Sequence, residues 1–216
     1  MKLMKTLIAG AVSMAVLPVA LPAMAYEAGD IIVKAGVINV IPKDGNAEVG
    51  NSELDIDSDI QLGLTGVYMV SDKIGIELLA ATPFTHTAEG DGGDIDGVDV
   101  ITTKHLPPTL SAQFYPMDAA SKIQPYVGLG VNYTFFFDEE DDAGLGSNGL
   151  KPSFGLAYSA GVDYMIDEKW LVNASVWKVD IDTEVKGGAA DGLDVEIDPI
   201  AFMVACGYKF LSLIHI

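Results

Sequence analysis

Eight stretches of this chain alternate apolar and non-apolar residues with a period of two. In the first, Ile31, Val33, Ala35 and Val37 oppose Lys34 and Gly36. The second sets Leu62, Leu64 and Tyr68 against Gln61, Gly63 and Thr65. The third sets Ile76, Leu78 and Ala80 against Glu77, Leu79 and Ala81. The fourth sets Leu106, Leu110, Ala112 and Phe114 against His105, Thr109, Ser111 and Gln113. Val127, Leu129, Val131, Tyr133 and Phe135 then face away from Gly128, Gly130, Asn132 and Thr134. Phe154, Leu156, Tyr158, Val162 and Tyr164 do the same against Ser153, Gly155, Ser159, Gly161 and Asp163. The seventh stretch is WLVNASVW, with Trp170, Val172, Ala174 and Val176 on one side and Leu171, Asn173, Ser175 and Trp177 on the other. The last sets Ile200, Phe202, Val204, Cys206, Tyr208 and Phe210 against Ala201, Ala205, Gly207 and Lys209. Period two places successive side chains on opposite faces, so these are eight predicted β-strands.

The composition of the two faces selects the architecture. One face is apolar, with aromatics near the strand ends. The other is mostly Gly, Ala, Ser, Thr and Asn. A soluble sandwich would carry charge on its polar face. An apolar exterior and a small, polar interior describe a narrow barrel in a membrane. Backbone groups at membrane depth must all be paired, so the last strand must close on the first. The fold predicted is all-β: an eight-stranded antiparallel up-and-down transmembrane β-barrel, too narrow for a wide aqueous pore.

The connections sort by length. Residues 71–73, 116–122 and 167–169 are short, as periplasmic turns should be. Residues 42–58, 85–98, 138–149 and 183–194 are long, as outer loops should be. The long segments carry most of the acid: Asp55, Asp57 and Asp59; Glu89, Asp91, Asp94, Asp96 and Asp99; residues 138–142; Asp191, Asp194 and Glu196. This segregation reconciles a formal net charge of −19 with a chain that is 50% hydrophobic. So acidic a surface excludes nucleic acid as a partner.

Lys2 and Lys5, the apolar run from Leu7 to Val19, and Ala23-Met24-Ala25 form a secretory signal peptide over residues 1–25. The barrel is assigned residues 26–210. The lone Cys206 forms no internal disulfide.

The stretches KHLPPTLSAQFYP (104–116), IGIELLAATPF (74–84), PYVGLGVNYTFFFD (125–138) and WLVNASVW together resemble the OmpW family of small outer-membrane proteins. The resemblance runs from Glu27 to Phe210 and implies a barrel in a Gram-negative outer membrane. It also implies passage of small hydrophobic molecules, and that Leu79 and Trp177 narrow an apolar channel. Barrels of this kind end in an aromatic residue, here Phe210, through which the assembly machinery would act. LSLIHI (211–216) departs from that pattern and is read as a non-native tail.

By parity Leu79 shares a face with Glu77, and Trp177 shares one with Asn173 and Ser175, so both are expected to point inward and line a ligand pocket. Val67, Met69, Met165 and Met203 are the neighbouring inward positions, and thioethers adapt to irregular apolar ligands. Such a pocket would act passively as a channel or carrier, with outer-membrane lipid and small hydrophobic solutes as partners. Pro83, Pro107, Pro108, Pro152 and Pro199 weaken strand pairing in the outer half, which would allow a lateral exit. The alternative is a plugged structural barrel whose acidic outer loops act as a receptor or adhesion surface. A calcium loop is poorly supported: around Asp94-x-Asp96-Gly97 the first and twelfth positions are Gly92 and Thr103, neither a ligand. No cofactor is expected. Nor is catalysis: His105 is expected inward, but no nucleophile motif accompanies it.

Overall fold

The computed structural model describes residues 25–210 except 44, 46, 50, 143, 145, 147 and 148. The tail at 211–216 and all of the signal peptide but Ala25 lie outside the described residues. The strands are β1 (Ile31–Ile41), β2 (Ala47–Val49), β3 (Ser52–Ile56), β4 (Asp59–Ser71), β5 (Ile74–Ala81), β6 (Phe84–Asp91), β7 (Asp99–Leu106) and β8 (Thr109–Phe114). They continue as β9 (Ile123–Glu140), β10 (Ser153–Met165), β11 (Trp170–Val179), β12 (Asp182–Glu184), β13 (Asp194–Glu196) and β14 (Ile200–Phe210). No helix among the described residues is long and apolar enough to cross a membrane.

Eight of these strands form the wall, in the order β1-β4-β5-β8-β9-β10-β11-β14, each antiparallel to its neighbours. The wall closes where β14 pairs with β1, from Ile31 opposite Phe210 to Ile41 opposite Ile200. Closure leaves no free edge strand to lipid, as the hydrocarbon requires, and the ladder is interrupted only locally, between residues 80–83 and 106–108. Every position assigned outward by alternation in these eight strands is outward. Phe154 and Val204 are each 70% exposed, while Asn132 and Asp163 on the opposite parity are fully buried. Trp170, Tyr208 and Phe210 form an aromatic group at the turn end, with rings 5.0 and 4.8 Å apart. Tyr133 and Phe135 form a second at the outer end, 4.5 Å apart. These are the two interfacial girdles.

A narrow barrel needs glycine where walls or rings approach closely. A Cβ at Gly161 would lie 2.5 Å from the Tyr126 ring, and one at Gly36 would lie 2.0 Å from the carbonyl oxygen of Val204.

The outer segments differ from the expectation. Of the segments expected as loops, residues 85–91, 47–49 and 52–56 form strand, and 93–95 form a single 3-10 turn. β3, β6, β7 and the outer end of β9 make a sheet that rises above the wall, and β12 and β13 form a separate hairpin. β6 shows why. Its alternation is genuine, but inverted: Phe84, His86 and Ala88 are buried while Thr85 and Glu89 are exposed. Outside lipid a sheet turns its polar face outward to water. The fourth predicted strand is also two strands, broken at Pro107 and Pro108, which supply no N–H to a ladder.

Candidate functional site

The lumen has two apolar clusters with polar side chains between them. The lower one contains Tyr26, Ile32, Val67, Met69, Tyr115, Tyr126, Met165 and Leu171. Above its apolar side chains lies an ion pair. Lys34 Nζ stands 3.0 Å from Asp163 Oδ1, and the two side chains are 1% and 0% exposed. Tyr26 Oη donates to Asp163 Oδ2 at 2.5 Å and Asn173 Nδ2 donates to Oδ1 at 2.7 Å. Ser175 Oγ donates to Asn173 Oδ1 at 2.7 Å, and Lys34 also lies 4.8 Å from the centre of the Tyr126 ring. A second buried pair, Lys209 with Asp30 at 3.6 Å, lies toward the turns. Together with the buried Glu77, whose carboxyl oxygens make no hydrogen bond, these groups form a polar floor across a narrow tube. Removing one partner of such a pair typically costs about 3–5 kcal/mol.

Above the floor is an inner chamber of about 410 Å³, its opening included, lined by Ile38, Val40, Leu79, Phe84, Trp177, Val179, Ile181 and Ala201 among others. Trp177 is amphipathic here. Its ring faces the chamber, while Nε1 makes no hydrogen bond and stands with Gln113 beside Glu77. An outer chamber of about 820 Å³, mouth included, lies beyond it among Leu54, Ile56, His86, Ala88, Val100, Phe136, Leu150, Val185, Leu193, Val195 and Ile197. His105 lines both chambers.

His86 and His105 lie above the lipid belt, where β6 and β7 present Thr85 and Lys104 outward. Their rings stack 4.9 Å apart between Phe84 and Phe136. Burial disfavours the charged imidazole, and the neighbouring His86 adds to it, so His105 falls to about 3. Burial also lowers His86, partly offset by its hydrogen bond to the Asp57 carbonyl.

The wall has one unpaired seam beside the inner chamber. β5 and β8 pair from Ile74–Phe114 up to Leu79–Thr109, and β6 and β7 resume at Phe84–His105. Between these, residues 80–83 face 106–108 without a ladder. Each lip is tied to its other neighbour. Thr82 N donates to the Leu62 carbonyl at 3.0 Å, and Asn132 Nδ2 donates to the Pro107 and Pro108 carbonyls at 3.0 and 3.2 Å. Leu78 and Leu110, immediately below the gap, are 53% and 50% exposed toward lipid. Ala80, Ala81 and Pro107 line the inner chamber at this gap. Near Pro152 and Pro199 the wall is instead bridged, by Lys151 N to the Glu184 carbonyl at 3.0 Å and Val179 N to the Pro199 carbonyl at 3.2 Å.

Of the six residues singled out by parity, all point inward and all are buried. Leu79 and Trp177 line the inner chamber, and Met203 packs in the same upper cluster. Val67, Met69 and Met165 lie in the lower cluster and line neither chamber. The outer chamber is built largely from segments outside the eight expected strands, so Leu54, Ile56, Ala88, Val195 and Ile197 are not among the expected lining residues. The alternation in β6 and in SELDI (52–56) was the available signal. Among the described residues no cluster of three or more His, Cys, Asp or Glu could hold a metal ion.

An eight-stranded membrane barrel with an apolar outer lumen and a closed polar floor defines a small outer-membrane protein class. Residues 27–210 match the model of the OmpW family, and the chain belongs to that family. It is 47% identical to outer membrane protein W of Vibrio cholerae over 96% of this chain and all of that one. The crystal structure of OprG from Pseudomonas aeruginosa superposes with a TM-score of 0.77 at 43% identity, covering 86% of this chain and 98% of that one. A more distant relative, 27% identical over 66% of this chain and 68% of its own length, is the dibenzothiophene metabolism operon protein PahQ of Pseudomonas aeruginosa. The chain is an outer-membrane protein of a Gram-negative bacterium.

Proposed function

We propose that this barrel carries small, largely apolar molecules through the outer leaflet by a passive route. A solute enters the outer chamber, passes His105 into the inner chamber, and leaves sideways between residues 80–83 and 106–108 into the bilayer. One observation carries the reading: two apolar chambers meet at His105 and end on a charged floor. An apolar solute gains by entering the chambers, since each buried methylene is worth about 0.8 kcal/mol. It gains nothing by going further, because the floor would have to open a buried ion pair. Leu79 and Trp177 are the lining residues at the end of this path. Met203 supports them, whereas Val67, Met69 and Met165 contribute to the floor that turns the solute aside. The name of the PahQ relative, which ties that protein to metabolism of an apolar aromatic, agrees with cargo of this kind. Phe210, the last residue of β14 and outward at the turn end, is assigned to recognition by the assembly machinery.

The rival reading, a plugged barrel working through its loops, predicts the same floor but no chambers above it. The barrel refolded into vesicles is titrated with 1-bromodecane and tryptophan fluorescence is followed. Saturable quenching that disappears in Trp177→Phe is expected, Trp170 reporting only the interface. Quenching that is absent or unchanged in the variant overturns the proposal. A disulfide joining one cysteine in 80–83 to one in 106–108, in a Cys206→Ser background, should trap bound solute. Unaltered release would remove the lateral exit.

A further inference from the structure

His105 is a polar side chain where the fold has no structural use for one. It is 2% exposed and forms no hydrogen bond with any described residue. Unlike His86 Nε2, which is fully buried and unpartnered, the His105 nitrogens keep contact with the chamber space, where a solute can reach them. Phe84 at 5.4 Å, His86 at 4.9 Å and Phe136 at 5.9 Å fix the imidazole plane, while its two nitrogens remain unpartnered between the chambers. A phenylalanine would satisfy the stacking equally, so the nitrogens are free to serve a solute.

His86 adds a defined polarity. Its Nδ1 bonds the Asp57 carbonyl oxygen, which can only accept, so Nδ1 carries the proton. In a neutral ring Nε2 is then a bare acceptor, and it is buried without a partner. The pair thus offers acceptors and one donor, and no charge. Among the described residues no lysine lines either chamber, and Asp141 stands at the edge of the outer one. An anionic head group finds no counter-charge there, and a cationic one would leave water for an apolar wall.

We propose that His105, with His86 beside it, is the polar contact for cargo bearing one uncharged hydrogen-bonding group, so that the preferred solute is a neutral amphiphile of the primary-alcohol type. This rests on the passive-carrier reading and specifies its cargo. A bare hydrocarbon leaves His105 unsatisfied, and a carboxylate meets no cation. A hydroxyl gives and receives a hydrogen bond at the constriction while its chain occupies either chamber.

The test is competition against 1-bromodecane quenching of Trp177 by 1-decanol, n-decane and decanoate at matched mole fraction in the vesicle. In the wild type, 1-decanol should displace the quencher at about tenfold lower mole fraction than n-decane, the worth of one good hydrogen bond in a dry site. Decanoate should be the weakest of the three. His105→Phe keeps the ring stack and should bring decanol and decane together, whereas His105→Gln should keep part of the preference. The ring ¹⁵N signals of wild-type His105 follow the same event without a substitution, and should move with 1-decanol and stay with n-decane. Equal displacement in the wild type, or a preference that survives in His105→Phe, overturns this proposal alone. Absence of any saturable quenching by 1-bromodecane overturns it together with the carrier reading.

Discussion

The wall and the outer sheet of this barrel are built from the same period-two alternation with opposite sense. In the wall, Leu129 is 58% exposed to lipid while Asn132 and Thr134, of the other parity, are fully buried. In β6 above it, Phe84 and Ala88 are buried and Thr85 and Glu89 face water. The reversal falls near Pro83, Pro107 and Pro108, where the wall ladder is also interrupted. The surrounding medium dictates the outer face in each region. The inner face follows from what remains. Below, polar side chains fill the tube and pair as Lys34–Asp163 and their partners. Above, the inward apolar side chains line chambers instead of packing solid. A solute path that is apolar and ends at a side seam is the consequence of joining the two.

The largest effect should come from the lower region. Lys34→Met leaves Asp163 buried beside Tyr26 and Asn173 without its cation, and should cost about 3–5 kcal/mol in urea unfolding from vesicles. Lys34→Met with Asp163→Asn should recover most of that loss. If the single variant is as stable as the wild type, the floor is hydrated and not sealed.

Next is the outer face, where one substitution type separates the regions. Leu129→Lys places a charge near the middle of the lipid belt and should cost about 2–4 kcal/mol. Thr85→Lys, on the water-facing side of β6, should stay within about 0.5 kcal/mol. Equal costs would mean that the outer sheet is also embedded in lipid.

A smaller, local effect should follow from pH. Burial keeps the folded His105 at about 3, against about 6.5 when β6 and β7 open. Between those values the opened sheet takes up a proton that the closed sheet refuses. The opened state therefore gains as pH falls from 6.5 toward 3, with no dependence on this group above 6.5. His86 is shifted the same way, and nearby Asp59 opposes the shift in both rings. Amide exchange in β6 and β7, corrected for intrinsic rates, should quicken between pH 7 and pH 4, while β10 and β11 stay protected. His105→Phe should reduce the dependence.

Parity explains how much of this was legible in advance. Hydrogen-bonded closure and lipid together force one face of every wall strand to be apolar, so the orientation of Leu79, Trp177, Lys34 and Asp163 follows from counting by twos. Which inward residues meet does not follow. Lys34 and Asp163 are 129 positions apart, and the stagger that brings them together is a property of the closed sheet. The chambers were less legible still. Their outer walls come largely from β3, β6, β7 and β13, whose acidic, water-facing sides look like loop to a search for lipid-facing strands. The two histidines were visible as residues. Their stacking, and the missing partners of His105, needed the fold.

The most direct measurement is anomalous scattering from crystals of the barrel soaked in 1-bromodecane. Bromine inside the chambers, between Trp177 and His86, with none on the turn side of the Lys34–Asp163 pair, is the result the account predicts. Empty chambers, or bromine below Asp163 along a path toward the periplasm, would contradict it.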